Sequence, residues 1–262
     1  MNICHKIINS LQQLKRLKYI CMKPRALLET NSGYCSPTDT PQSVITWNIQ
    51  GLFYFMNSYK RKQIIKTLEG FTADVICLQE VFEDSLKTEI IDKLEYKYPY
   101  YLLGTTRKKC SLGEDSGLLV LSKYKIEYTK EIVFEDNFIP DSFANKSLLY
   151  FKVGCYNFVT THLQSSNMIE SEYIACNQIK NMIKKSPFDS FIICGDLNHT
   201  EAFIYTKCIK NNFVPTWNND ILDYIFCINM DDVVVKTEVI DIDTLRISDH
   251  KPLLGRLVTK TN

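Results

Sequence analysis

The sequence has no long apolar run, no surplus of charge of either sign and few histidines, and each shortage closes off a class of protein. Its longest apolar stretches, such as Phe191 to Cys194, fall far short of the ~20 residues a membrane-spanning helix requires. No transmembrane segment is therefore expected. With 31 basic against 30 acidic residues the formal net charge is +1, so the chain lacks the basic excess of a dedicated nucleic-acid binder. Neither an internal repeat nor a low-complexity tract is present. The ten cysteines include no CxxC pair and no His/Cys spacing suited to zinc. Cys77, Cys155, Cys194 and Cys227 sit inside apolar runs, where a thiol packs as a small hydrophobe. Reduced thiols in a cytosol-like compartment are the expectation. The N-terminus lacks the continuous apolar core and small-residue cleavage site of a secretory signal, so an intracellular, cytoplasmic location is expected, with a basic targeting peptide as the alternative.

What is there is enough for a substantial core. The 262 residues are 45% hydrophobic and 23% charged, a balance that fits one large folded domain better than a disordered chain. The first 41 residues differ from the rest: Lys6, Lys15, Arg16, Lys18, Lys23 and Arg25 all precede the first acid, Glu29. They then run into Asn31-Ser32-Gly33 and Ser36-Pro37-Thr38-Asp39-Thr40-Pro41, which has linker composition. We divide the chain into a basic N-terminal extension and linker, 1–41, and a catalytic domain, 42–262. Residues 7–21 have the spacing of a short amphipathic helix, and a solvated tail is the plainer reading.

From Val44 onward short β-rich runs alternate with helical stretches. Residues 44–47, 74–78, 118–121, 148–151, 157–160 and 191–194 have the length and the β-branched or aromatic content of strands. Residues 59–68, 85–96 and 169–185 carry helical periodicity with polar faces. Near-continuous apolar strands between helices predict an α/β fold, a sheet core covered by helices on its outer faces rather than a half-exposed antiparallel sheet.

Polar residues gather where these strands end. Asn48 follows Val44-Ile45-Thr46-Trp47, Glu80 follows the run from Asp74 to Gln79, His162 closes Asn157 to Thr161, and Asp196 and Asn198 close Phe191 to Gly195. Taken singly each is an ordinary turn or loop residue. Together they predict one shared site, because ligand sites in α/β sheets collect at the carboxyl ends of strands. Two of only four histidines, His162 and His250, fall at such positions, and His250 follows Ser248-Asp249. An imidazole beside carboxylates and metal-ligand acids is what phosphoester hydrolysis needs: a base for water, a cation for the phosphoryl oxygens and a hard metal.

The ordered series Trp47-Asn48-Ile49-Gln50-Gly51, Leu78-Gln79-Glu80-Val81-Phe82, Thr161-His162-Leu163-Gln164-Ser165, Gly195-Asp196-Leu197-Asn198, Leu222-Asp223-Tyr224-Ile225-Phe226 and Ser248-Asp249-His250 resembles the motif set of the endonuclease/exonuclease/phosphatase superfamily, in that superfamily's order. One motif alone is weak; the whole series is specific. The resemblance implies a four-layer α/β sandwich, two packed mixed β-sheets flanked by helices. It also implies a division of labour. Glu80, helped by Asn48, and with Asp249 as a second carboxylate, would hold Mg²⁺, with Mn²⁺ as a substitute. Asp196 would position or deprotonate the attacking water, and Asn198 would donate to a phosphoryl oxygen. His250 would act as base or charge stabiliser with Asp223 on its other ring nitrogen, and His162 would stabilise developing charge or protonate the leaving oxygen.

Flanking stretches resemble the neutral and bacterial sphingomyelinase branch: Glu80-Val81-Phe82 with Tyr96-Lys97-Tyr98-Pro99-Tyr100 after the next helix, Asp141-Ser142-Phe143-Ala144-Asn145-Lys146-Ser147 before a strand, and Thr161 to Ser165. They imply a phosphodiester substrate of the sphingomyelin-like phospholipid kind, hydrolysed by in-line water attack; a monomer, with peripheral membrane contact as an option, is the expectation. Ser147 stands where that branch has glycine, and the short interval from Asp196 to Asp249 lacks room for the membrane-inserting hairpin of secreted members. Contact with a bilayer would then fall to the basic N-terminus or to Phe53, Tyr54 and Phe55. The alternatives are a Mg²⁺-dependent nuclease or tyrosyl-DNA-type phosphodiesterase, with Lys60, Arg61, Lys62, Lys66, Arg107, Lys108 and Lys109 against the phosphate backbone, and a catalytically inactive binding module. For those basic residues a solvated face is the competing reading.

Overall fold

The computed structural model describes residues 39–260 apart from 53–55, 106–114, 136–143, 166–168, 200–221 and 244–245. The readings made on residues 1–38, on Phe53, Tyr54 and Phe55, on Arg107, Lys108 and Lys109, and on Asp141, Ser142 and Phe143 lie outside the described residues. In chain order the elements are β1 (Ser43–Asn48), α1 (Ser58–Gly70), β2 (Val75–Gln79), α2 (Asp84–Leu94), β3 (Tyr100–Leu103), β4 (Leu119–Ser122), β5 (Ile126–Val133), β6 (Ser147–Val153), β7 (Tyr156–His162), α3 (Ile169–Lys184), β8 (Phe191–Asp196), β9 (Asp223–Ile228), β10 (Val233–Val239) and β11 (Leu253–Thr259). They form a sheet in the order β10-β11-β1-β2-β4-β3 and a second in the order β5-β6-β7-β8-β9.

Period-2 alternation explains why the sheets stack. On β1, Ile45 and Trp47 join the cluster that holds Ile64, Ile65 and Leu68 of α1 and Leu86 and Ile90 of α2. Val44, on the opposite face, joins a cluster with Phe151 of β6, Phe158 of β7 and Ile192 and Cys194 of β8. Strand β8 repeats the pattern, turning Phe191 and Ile193 toward Ile179 and Met182 of α3. Each central strand is thus apolar on both faces, and each buried large side chain contributes about 1.5–3 kcal/mol on leaving water. The result is helix, sheet, sheet, helix: a four-layer α/β sandwich.

The expectation of a helix-covered sheet core holds at the centre and fails at the edges. Only β1 with β2 and β7 with β8 run parallel among the paired strands; the other neighbours are antiparallel. The outer strands β5 and β10 alternate inward and outward residues. Strands β3, β5, β9, β10 and β11 go unmarked by composition: β5 intersperses polar residues, β11 is broken by Gly255 and Arg256, β3 and the apolar start of β10 are short, and β9, buried at every position, begins with the acid Asp223. Helix α1 starts at Asn57, whose side chain accepts from the Lys60 amide at 2.9 Å, the usual N-cap bond. No helix among the described residues is long and apolar enough to cross a membrane.

The thiols need one correction. Cys77, Cys176, Cys194 and Cys227 are free and buried, but Cys155, in the exposed turn between β6 and β7, is disulfide-bonded. Cys155 thus lies in a turn and not inside an apolar run.

Candidate active site

The site is the polar end of the layer between the sheets. Residues alternate along a strand, so Thr46 and Asn48 continue the inter-sheet face that begins at Val44, and Asp196 continues that of Ile192 and Cys194. Register does the rest. His162 pairs with Asp196 across β7 and β8, and Asp196 pairs with Asp223 across β8 and β9. Three side chains from three adjacent strands therefore stand in one row. From the facing sheet, Asn48 pairs with Gln79, and Glu80 comes one residue later. Gln79 ties the two sheets together below the site, donating from Nε2 to Thr46 Oγ1 at 3.1 Å and to Thr160 Oγ1 at 3.3 Å.

The last member arrives on the segment before β11, whose antiparallel pairing with β1 brings it to the same sheet edge. Ser248 Oγ donates to Asn48 O at 2.6 Å and accepts from the His250 amide at 3.1 Å, while Trp47 Nε1 donates to His250 O at 3.0 Å. These bonds fix the histidine's backbone against β1. Its ring is then held by Asp223, with Nδ1 2.6 Å from Asp223 Oδ2, and its Nε2 lies 3.7 Å from Asp196 Oδ2. His162 Nε2 lies 3.5 Å from the same Asp196 oxygen and 4.0 Å from Glu80 Oε1.

Asn48 stands between the carboxylates. Its Nδ2 donates to Glu80 Oε1 at 3.1 Å and to Asp196 Oδ2 at 3.0 Å, and its Oδ1 accepts from the Gln50 amide at 2.9 Å. The backbone bends sharply here: Gln50, Glu80 and Asn198 have φ of 49°, 61° and 55°, a left-handed conformation that non-glycine residues adopt at some cost and that clusters at functional sites. Gly51 closes the bend, since a Cβ there would lie 2.1 Å from the Glu80 carbonyl oxygen. Asn198 acts as a donor in its turn: its backbone amide donates to Asp196 Oδ1 at 2.9 Å and its Nδ2 to Leu163 O at 2.8 Å. Asp249 is exposed at the rim.

Burial and charge set the protonation states. Burial pushes the Asp196 carboxyl up, the Asp223 charge adds to it, and His250, Asn48 and Lys146 act against them; the outcome is about 6. For His250 burial opposes the cation, but the Asp223 and Asp196 carboxylates outweigh it and hold the imidazole up at about 10. Burial lowers His162 well below its ordinary value, and Lys146 and His250 push the same way. Glu80 is raised by burial, against the Asn48 hydrogen bond and the Lys146 charge. The site thus holds one imidazolium, one neutral imidazole and a carboxylate poised near neutrality.

Two places suit a cation. Asp196, Asp223 and His250 have ligand atoms within 4.8 Å of one another, but the short Asp223–His250 hydrogen bond already uses two of them. Glu80 offers more: its Oε2 is buried with no hydrogen-bond partner, beside Asp196 and the Asn48 side chain. A buried, unsatisfied carboxylate oxygen is a group awaiting a partner, and carboxylate oxygens are the ligands a hard divalent ion favours. The residues present fit Mg²⁺ there. Asn48 turns its amide nitrogen, not its oxygen, to Glu80, so it aims the carboxylate in this arrangement.

Two lysines belong to the site although spacing alone does not single them out. Lys146 is fully buried, its Nζ 2.6 Å from Leu163 O, and its charge acts on Glu80, Asp196 and His162. The available signal was the stretch Asn145-Lys146-Ser147, one of those that resemble the sphingomyelinase branch. Lys60, one of the basic residues of the first helix, is buried and turned inward. Arg61 pairs with Glu83 and with Glu89, the latter at 3.2 Å; Lys62 and Lys66 are exposed. Behind Glu80, Lys87 of α2 bonds Asp115 at 2.6 Å and Phe82 O at 3.2 Å, and the Val81 amide donates to Gly117 O at 2.8 Å, which braces the strand end that carries the acid.

Known proteins resemble this chain in sequence and in fold. A sphingomyelinase C 2 of Leptospira interrogans is 32% identical over 194 residues, covering 64% of this chain and 30% of that protein. A sphingomyelinase C of Bacillus cereus is 26% identical over 167 residues, covering 58% of this chain and 50% of its own length. The chain thus spans half or less of these two curated relatives. Among solved structures, a Staphylococcus aureus beta toxin mutant with bound magnesium ions superposes with a TM-score of 0.71 at 20% identity, covering 83% of this chain and 99% of that one. A humanized D. rerio TDP2 superposes at 0.65 with 19% identity, covering 84% and 99%. At such identities the likeness is one of fold. The sequence pattern of the Endonuclease/Exonuclease/phosphatase family matches residues 45–250. Since that match runs from inside the first strand to the histidine that closes the site, the chain belongs to the Endonuclease/Exonuclease/phosphatase family.

Proposed function

We propose that the protein is a divalent-metal-dependent phosphodiesterase that hydrolyses a sphingomyelin-like phospholipid head group by in-line attack of water. The observation that carries the metal-dependent chemistry is the buried, unpartnered Glu80 Oε2 beside the His162–Asp196–Asp223 row. The lipid preference is supported by the relatives named as sphingomyelinases and by the flanking stretches around Tyr96 to Tyr100 and Asn145 to Ser147. Held by Glu80, with Asp249 at the rim, Mg²⁺ would neutralise charge on the phosphoryl oxygens.

The chain's own groups divide the remaining work by protonation state. Asp196, ionised at neutral pH and close to neutrality in basicity, takes the proton of the attacking water. His250, kept as an imidazolium by Asp223, faces the developing negative charge and gives its Nε2 proton to an oxygen of the phosphoryl group or the leaving alcohol. That makes it charge stabiliser and acid rather than base. His162, neutral, serves as a hydrogen-bond donor to the leaving oxygen. The Asn198 side-chain amide, with one hydrogen on Leu163 O, has a second for a phosphoryl oxygen. One P–O bond forms to water and one breaks to the alcohol, with no covalent protein intermediate.

The test is a side-by-side assay with Mg²⁺, offering sphingomyelin in mixed micelles, single-stranded and abasic DNA, and a 5′-tyrosyl oligonucleotide, with EDTA and His250→Ala as controls. Phosphocholine release abolished by both controls is the expected result. Cleavage of nucleic acid with sphingomyelin untouched would overturn the lipid reading while keeping the chemistry. Turnover of none of them, with phosphodiester-independent binding surviving EDTA, would leave an inactive binding module.

A further inference from the structure

Lys60 sits in the first turn of α1, where the helix dipole disfavours a cation and where the helix itself carries no acidic residue. It is nonetheless buried, 5% exposed, which sets it apart from its exposed neighbours Lys62 and Lys66. A buried ammonium is costly unless its hydrogen bonds are made. Lys60 makes them to one residue: its Nζ donates to Gln50 O and to Gln50 Oε1, each at 2.8 Å. Burial draws its proton affinity down while Asp249 and Glu80 pull it back up.

Gln50 is held in the left-handed conformation, φ 49°, and its amide donates to Asn48 Oδ1. That bond decides which way the Asn48 side chain faces. With Oδ1 committed to Gln50, Nδ2 is left to bridge Glu80 Oε1 and Asp196 Oδ2. We propose that Lys60 is a positioning residue for the cation site: by clamping both oxygens of Gln50 it holds the strained turn that aims Asn48 at Glu80 and Asp196. This rests on the reading of Glu80 as the cation's ligand. Lys60 acts on the cation site through two intervening residues, Gln50 and Asn48.

A direct metal measurement separates this from a general effect on the fold. Mg²⁺ binding to the full chain is read by isothermal titration calorimetry, and hydrolysis of bis(p-nitrophenyl) phosphate is read alongside, for the wild type, Lys60→Met and the double variant Lys60→Met/Gln50→Gly. Loss of a residue that orients a metal ligand typically weakens the metal by about 10–100-fold. Lys60→Met is therefore expected to raise the Mg²⁺ dissociation constant about tenfold and to lower kcat at saturating metal with KM little changed. Glycine adopts positive φ without strain, so the double variant is expected to recover part of the lost affinity. If Lys60→Met accumulates poorly as folded protein, Lys60→Gln, which keeps a donor, replaces it, and thermal midpoints accompany every comparison. Unchanged or tighter Mg²⁺ binding in Lys60→Met would overturn the proposal, since the ammonium would then only oppose the incoming ion. Weakening that the glycine leaves unrelieved would overturn the route through Gln50. A wild type that binds no Mg²⁺ would bring down the functional reading itself, and this proposal with it.

Discussion

The layer between the two sheets has an apolar half and a polar half, both built by the same strands two residues apart. On β8, Ile192 and Cys194 pack against Phe151 and Phe158; the next inward position is Asp196, fully buried among Asn48, His162 and His250. On β1 the same step leads from Val44 through Thr46 to Asn48, and on β7 from Phe158 through Thr160 to His162. The apolar half gains from burial. The polar half buries acids that burial itself makes reluctant to ionise, as the raised Asp196 and Glu80 show. Stability and chemistry are thus separated along the strand, not between domains, and substitutions one pleat apart should move different observables.

The sharpest way to break this comparison is Asp196→Asn. Turnover is expected to fall by about 10² or more, the scale of a lost acid–base group. The thermal midpoint of the metal-free protein is expected to rise, because the raised carboxyl means that the folded state resists that charge. A destabilised variant would place Asp196 among the groups that hold the fold together. Its counterpart, Ile192→Ala, is expected to cost about 2–5 kcal/mol in denaturant unfolding with kcat per folded molecule unchanged; a fall in kcat without loss of stability would merge the two halves.

Asp223→Asn should have a smaller, more specific effect. Turnover is expected to drop about 10–100-fold, as for a residue that orients another. The alkaline limb of the pH–rate profile, set by His250 near 10, should move down toward 6.5 as the imidazolium loses its main partner. A limb that stays in place would show that another group titrates there. The smallest effect is on stability. A histidine whose pKa is raised by folding contributes stability that is fully present below its unfolded value and is lost as pH rises toward the folded one. Metal-free protein should therefore lose thermal stability between about 6.5 and about 10, and this slope should flatten in Asp223→Asn. An identical slope in both proteins would assign it to other groups.

How much of this could be read in the sequence obeys the same division. Strands β1, β2, β4, β6, β7 and β8 were legible because both faces are apolar and the run is continuous; β9, equally buried, and β11 were not marked. Strand β5, with one face outward, looks like polar chain, and β10 has only its first three residues apolar in succession. The side chains that end β1, β7 and β8 stand out because a polar group after a buried run needs a reason. Lys60 and Lys146 do not stand out in that way, since a lysine in a helix or before a strand is ordinarily solvated, and only tertiary contacts turn these two inward. The row itself depends on register, His162 beside Asp196 beside Asp223, and register comes from pairing between strands far apart in sequence.

The left-handed residues Gln50, Glu80 and Asn198 each lie at a point where a strand gives way to a loop. A reversal of that kind ends the pleat, so the side chain before it takes its direction from the few bonds made at the bend, as Asn48 does from the Gln50 amide.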